Sequence, residues 1–283
     1  MNSARFWGGF RKSMLIGLAW SILGFLVLPM LIVVPVSLTD RNYLSLPDQH
    51  LSLQHYLTFF RSELWFGSAI QSMIIATAST FFAVVLGTLC AVGCWRLSNG
   101  WASMVRLLML APLIVPTVIQ GLAFYRVWVA LDIFDTYLGV ILAHTITGIP
   151  YVVVTVATSL ATFDQKLEQA ARSLGASALT TIRLVILPGI LPGVLSGAVF
   201  AFVHSFDELV VVLFITSRDI RTLPKRIWDG LQDRIDPTVA SVSVILIAIT
   251  LALLMADYAW RRRRPETSRD TPGEGDPGQP RSA

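Results

Sequence analysis

The sequence predicts an all-α membrane protein with six transmembrane helices, and three observations carry that prediction. The 283 residues are 54% hydrophobic and only 14% charged, with a mean hydropathy of +0.65. A soluble domain of this length does not carry so large an apolar fraction. The apolar residues gather in six runs, each longer than the roughly 20 residues a helix needs to cross a bilayer. The longest polar interruption in the middle of the chain, Phe163 to Pro188, has helical order of its own. The net charge of +4 does not argue for a nucleic-acid partner, because Lys and Arg in a membrane protein mostly report topology.

Taken in order, residues 1–12 are a short basic head with Arg5, Arg11 and Lys12. The first span covers about Met14 to Leu38. It begins like a signal sequence, but its apolar run is too long and lacks a small-residue cleavage site. Pro29 and Pro35 predict a bend in it. Asp40 to Glu63 is a polar loop with a helical patch around Leu53-Gln54-His55-Tyr56. His50 and His55 lie in it without a carboxylate or Cys to complete a metal set, and are expected to be solvated. The second span covers about Gly67 to Cys94, with Trp65 and Trp95 at interfacial depth. Cys90 and Cys94 stand one helical turn apart inside it and predict buried packing. The third span, about Ser103 to Tyr125, contains Pro112 and Pro116. The fourth, about Tyr137 to Leu160, is expected to break at Pro150 and carries His144, either a hydrogen-bonded core residue or part of a solute path. The fifth, about Gly189 to Thr216, places Gly189, Gly193 and Gly197 on one smooth face, for packing within the chain or against a partner. The sixth covers about Thr238 to Trp260 and ends at four arginines. Residues 263–283 are rich in Pro, Gly and charge and predict a disordered tail. The permease domain is then 13–262.

An even number of spans puts both termini on one side. Of the 22 Lys and Arg, 14 fall on that side and 8 on the other, which favours cytoplasmic termini. The five basic residues between Ser217 and Pro237 run against the bias.

The 163–188 stretch then lies at the cytoplasmic face. Phe163, Leu167, Ala170, Ala171, Leu174 and Ala178 recur on one face of a helix. Thr162 with Gln165 fits a capping box. Gly175 fits a helix stop, and Ser177 can cap a second short helix running into Leu187-Pro188. The apolar face would lie on the bilayer or dock in a groove of another protein. Its alanines suit close docking better than insertion among headgroups.

These residues carry a resemblance. Gln169-Ala170-Ala171, three residues, Gly175, nine residues, Val185-x-Leu187-Pro188 resembles the EAA loop of ABC importer permeases, whose pattern is Glu-Ala-Ala, three residues, Gly, nine residues, Ile-x-Leu-Pro. Gln169 stands where the family carries Glu, with Glu168 one place earlier, and Val185 stands for Ile. The resemblance implies that Glu168, Gln169, Ala170, Ala171, Leu174, Gly175 and Pro188 couple the chain to a cytoplasmic ATPase.

No phosphate-binding G-x-x-x-x-G-K-[ST] motif occurs, so ATP and Mg would be bound by a partner chain and no cofactor by this one. No nucleophile, base and orienting group cluster in the sequence, which predicts a non-catalytic conduit. The most suggestive acidic pair is Asp207-Glu208 in the fifth span. On a straight helix Asp207 would lie roughly 25–30 Å from Pro188, near the outer end. A charge at mid-membrane costs at least ~3 kcal/mol, so the pair should face water, a basic group or a cationic solute. With Phe206 and His144 it makes a candidate solute path; capping or salt-bridging of a neighbouring helix is the alternative.

Ser205-Phe206-Asp207-Glu208-Leu209-Val210-Val211, with Leu223-Pro224, Ile235-Asp236-Pro237 and Ser52-Leu53-Gln54-His55-Tyr56, resembles the second permease of spermidine/putrescine-type ABC importers. This implies a type I importer fold in a bacterial inner membrane, surrounded by lipid. It also implies a homologous second permease, a pair of ATPase subunits and an extracytoplasmic solute-binding protein. ATP would close the ATPases, residues 166–176 would move as a lever, and spans three to five would rock, with bends at Pro112, Pro116 and Pro150. The competing class is a secondary transporter using Asp207 or Glu208 as a cation or proton site. A third is an assembly subunit with no solute path.

Overall fold

The computed structural model describes residues 3–48, 50–97, 99–234 and 236–263. The predicted tail lies outside these apart from Arg263, as does Ile235 of the quoted motif. Every regular element among the described residues is helical. Four helices are long and apolar enough to cross a membrane unaided. They lie in α1 (Ser3–Ser37), α3 (Glu63–Leu97), α6 (Tyr137–Ala161) and α13 (Thr238–Arg263). Two sharply bent pairs raise the number to six if each is one span.

The first bent pair corrects the expected straight third span. α4 (Gly100–Ile114) and α5 (Thr117–Ala130) meet at 106°. The cause is local. Pro116 holds Val115 in extended backbone, as a residue before proline prefers, and Pro116 has no N–H to continue the ladder. The carbonyls left over are not orphaned. Gln120 Nε2 donates to Pro112 O at 2.8 Å and to Val115 O at 2.6 Å.

The second pair corrects the expected fifth span. α8 (Ala178–Thr181) leads into a π-helical turn (Ile182–Ile186) and α9 (Leu187–Gly189), and this rod meets α10 (Leu191–Asp207) at 71°. Pro188 explains the π turn. It offers no N–H, and the bond before it has slipped one residue, Leu187 N reaching Ile182 O. α10 then stops at Asp207, and α11 (Val210–Ile215) follows after a break. Distance along a straight helix from Pro188 therefore does not locate Asp207.

Other expectations change less. α6 runs unbroken through Pro150, and α1 through Pro29 with Pro35 in its last turn. The basic head is continuous with α1 from Ser3. The helical patch in the first loop is a full helix, α2 (Gln54–Arg61), and His55 is buried rather than solvated, its Nε2 bonded to Arg41 O at 3.0 Å. Trp65 is buried beneath Leu223 and Val239, with the Arg226 guanidinium over its ring.

The centre is α3, α6 and α10. Small residues spaced by helical turns line the buried face of α3, among them Ser72, Ala76, Ala83, Gly87 and Ala91, so that backbones approach closely. A β-carbon at Gly87 would lie 2.8 Å from Val152 Cβ. Gly193 and Gly197 meet Ser159, Thr155 and Val152 of α6, so these glycines pack within the chain. A polar chain crosses the same core: Ser79 Oγ lies 2.9 Å from Ser205 Oγ, which lies 2.8 Å from His144 Nδ1.

At the opposite end from the 163–188 loop, α12 (Leu223–Arg234) closes the body. Asp135, at positive φ, accepts backbone N–H bonds from Arg218, Asp219 and Ile220. Burial pushes its carboxyl up, but these donors outweigh burial and hold it below the usual carboxylate range. Lys225 is buried beside them, donating to Thr216 Oγ1 at 2.7 Å and Ser217 O at 3.2 Å. Burial pulls the Lys225 ammonium below the ordinary lysine value despite the nearby Asp229 and Asp135.

Candidate coupling loop and solute path

α6 ends at Ala161, and the chain turns into α7 (Gln165–Ser173). The cap is Asp164, whose Oδ1 accepts from Lys166 N at 2.9 Å, not the expected Thr162, which closes α6 with its hydroxyl donating to Ser159 O. Asp in this position is as good a cap as Thr and adds a negative charge at the helix N-terminus. α7 ends where Gly175 takes φ +86°, the left-handed conformation glycine adopts without strain. Ser177 caps α8 through Thr180 N at 3.2 Å.

The face expected to be apolar is largely open. Leu174 is 89% exposed and Leu167 53%. Leu179 and Leu184, on the elements that follow, are 75% and 67% exposed. Gln169, Ala170, Gly175 and Pro188 are exposed, while Ala171 and Glu168 are half-buried. Phe163 roots the loop: its ring meets Trp95 of α3 edge-on at 6.1 Å and fills the place a side chain at Gly189 would need. Glu168 points inward, with Oε1 2.5 Å from Arg96 Nη2 at the end of α3. Sequence reasoning noticed Glu168 but not its partner, which lies 72 residues earlier in the chain.

The candidate solute path divides. Phe206 is half-buried, stacked on Phe202 at 5.9 Å, and Asp207 is exposed. Both line a groove of about 340 Å³ with Leu209, Trp228 and Leu231. Glu208 turns away. It is buried, and its Oε1 accepts from Val211 N at 2.9 Å, capping α11. His144 is buried in the Ser79–Ser205 chain on one ring nitrogen, its Nε2 without a protein partner. The structure therefore brings Phe206 and Asp207 together and places Glu208 and His144 elsewhere. One turn before Glu208, His204 packs on α6 instead, its Nε2 3.0 Å from Thr147 Oγ1 and its ring 4.9 Å from that of Tyr151.

A body of bent and straight apolar helices, with a polar loop helix at one end and a carboxylate groove elsewhere, defines a multi-pass helical membrane protein. Residues 83–265 match the family described as binding-protein-dependent transport system inner membrane component. The chain belongs to this family and is a permease subunit of an ABC importer with the type I fold. It is 31% identical over 258 residues to the putrescine transport system permease protein PotI of Escherichia coli strain K12, covering 87% of this chain and 90% of that protein. It is 29% identical over 242 residues to the spermidine/putrescine transport system permease protein PotC of Haemophilus influenzae, covering 86% and 94%. Among solved structures, a chain of a bacterial alginate ABC transporter in complex with an alginate pentasaccharide-bound periplasmic protein superimposes with a TM-score of 0.71 at 17% identity, covering 92% of this chain and 96% of that one. A chain of the inward-facing MetNI methionine ABC transporter gives 0.59 at 18%, covering 70% and 94%. The family match favours the ABC reading over a secondary transporter.

Proposed function

We propose that this permease imports a small cationic solute of the polyamine class, driven by ATP hydrolysis on separate ATPase subunits that bind the 163–188 loop. The observation that carries the coupling half is α7 itself. It is a capped, glycine-terminated helix with no buried residue, and the leucines at and beyond its end are uncovered by this chain. Exposed apolar surface of this kind suits a protein or membrane contact, and the small alanines of α7 favour close docking against protein. Glu168, Gln169, Ala170, Ala171, Leu174, Gly175 and Pro188 belong to that loop. The solute half is supported by the polyamine relatives and by the Phe206–Asp207 groove, which joins a carboxylate to apolar and aromatic walls. A carboxylate with aromatic faces suits an ammonium-bearing chain. The excess of Lys and Arg on the side of the termini supports a cytoplasmic α7 and cytoplasmic ends. A homologous second permease, an extracytoplasmic binding protein and a bacterial inner membrane complete the assembly.

The test is reconstitution in liposomes with the ATPase subunits, the second permease and the binding protein. Uptake of labelled putrescine or spermidine should require ATP, and a cysteine at Ala171 should cross-link to an ATPase subunit. Uptake by this chain alone without ATP would refute the proposal, and so would an Ala171 cysteine accessible only from outside.

A further inference from the structure

We infer that the Arg96–Glu168 ion pair is the joint that sets the angle of α7 against the membrane body, which makes both residues positioning residues for transport. The inference rests on the reading of α7 as the coupling helix. α7 has no buried side chain, and the elements that pack on it, α8 and the π turn, belong to the same loop. Among the described residues, the side-chain bond from α7 to a membrane-crossing helix is Glu168 Oε1 to Arg96 Nη2.

Three features make this pair more than a surface contact. The two side chains are 21% and 16% exposed, so water screens them less than an open pair. Each charge sits at the helix end that favours it. Arg96 is in the last turn of α3, where carbonyls point outward, and Glu168 is in the first turn of α7, where N–H groups do. The pair also stands beside open space. An open recess of about 530 Å³ lies beside it, lined by Trp95, Arg96 and Leu97 at the end of α3 and by Gln165, Glu168 and Arg172 of α7. With no buried residue on α7, packing does not wedge the helix down. The Trp95–Phe163 contact fixes one point at the root of the loop, and the ion pair supplies a second, which restricts rotation about the first. Gln169, one residue on, is exposed and makes no such tie.

The experiment uses the assembled complex in liposomes with Arg96→Gln, Glu168→Gln and the exchange Arg96→Glu with Glu168→Arg. The readout is solute taken up per ATP hydrolysed. An Ala171→Cys cross-link to the ATPase is scored in the otherwise unaltered complex and in each background. Each single variant should lower uptake per ATP by about tenfold, the low end of what a charge-assisted hydrogen bond contributes, while the cross-link still forms. The exchange should recover much of this, short of full recovery because each charge then faces the wrong helix end. Single variants that transport normally per ATP overturn the inference, as does an exchange no better than the singles. If the singles fail to accumulate, accumulation of the exchange supports the pairing and its absence overturns it. A missing cross-link in the unaltered complex overturns instead the coupling reading beneath.

Discussion

Replacing Gly193 with Ala tests whether the α6–α10 contact is set by the absence of a side chain. A β-carbon there would overlap Ser159 Oγ, lie 2.8 Å from Ser159 Cβ, and lie 2.7 Å from the Thr155 carbonyl oxygen. A carbon–oxygen contact settles at about 3.3 Å or more, so α10 must retreat by about half an ångström from a backbone atom that cannot rotate away. Overpacking of this kind costs about 1–3 kcal/mol. The same change at Gly93, inside α3, meets nothing within 4 Å and should stabilise by up to ~1 kcal/mol through helix propensity. The two substitutions are chemically identical and should have opposite signs. Thermal unfolding of both proteins, purified in one detergent, makes the comparison. Adding Ser159→Ala to Gly193→Ala removes only the hydroxyl clash and leaves the carbonyl and Cβ contacts, so rescue should be partial. If Gly193→Ala melts at or above Gly93→Ala, the close approach does not hold the helices in the way argued.

Gly175→Val should strain the end of α7 by about 1–2 kcal/mol, because a β-branched residue resists positive φ. With no neighbour within 4 Å of the new carbon, the cause would be backbone alone, and Gly175→Asn should retain more ATP-driven uptake than Gly175→Val. Glu208→Gln keeps an acceptor for Val211 N and should stay near wild type in stability, whereas Glu208→Ala should lose about 1 kcal/mol in denaturant unfolding. Equal loss of uptake in both would show that the charge, rather than the cap, is what transport needs. Asp135 has a lowered folded pKa, so its ionised form stabilises the 217–222 loop at pH above the ordinary carboxylate value of about 4, and this contribution is lost as pH falls through the lower folded value. Protection factors of the amides of residues 218–220, taken relative to the intrinsic exchange rate at each pH, should therefore fall on acidification, and Asp135→Asn should already show low protection near neutrality and respond less to pH.

What could be read from the sequence was periodic or local. Hydropathy located the apolar segments, and Gly175 and Ser177 marked where α7 stops and α8 starts, because each acts on its own neighbours in the chain. The misses required knowing what lies across a fold. Pro112 and Pro116 announced a bend, but not one near a right angle. The bend starts at the extended Val115 before Pro116, and the carbonyls it frees are met by Gln120 reaching back, for which glutamine carries no sequence signature. Pro150 looked like a similar break and is not one, because α6 is clamped between α3 and α10 along most of its length. The Asp207-Glu208 pair looked like one feature, and the helix end between them sends one carboxylate to the groove and the other to a backbone N–H. His55 looked like a loop residue because the carbonyl it meets belongs to Arg41, before the loop turns.

These distinctions bear on how force would pass through the chain if α7 is the lever. α7 joins the body at the end of α3, through Arg96 and Trp95, and at the Gly189 joint, through Phe163 and the rod that leads into α10. Both entry points belong to helices already locked to α6, by glycine contacts at Gly87, Gly193 and Gly197 and by the Ser79–Ser205–His144 chain. A push on α7 cannot move α3 without carrying α6 and α10. The freedom must lie at the margins of that block: the α4–α5 elbow, the Glu208 break before α11, and α1, whose span has none of its best apolar window buried in this chain. Asp207 sits at one of these margins, at the last residue of the moving block, so its carboxylate would shift relative to α11 with each cycle while Glu208 holds the break in register.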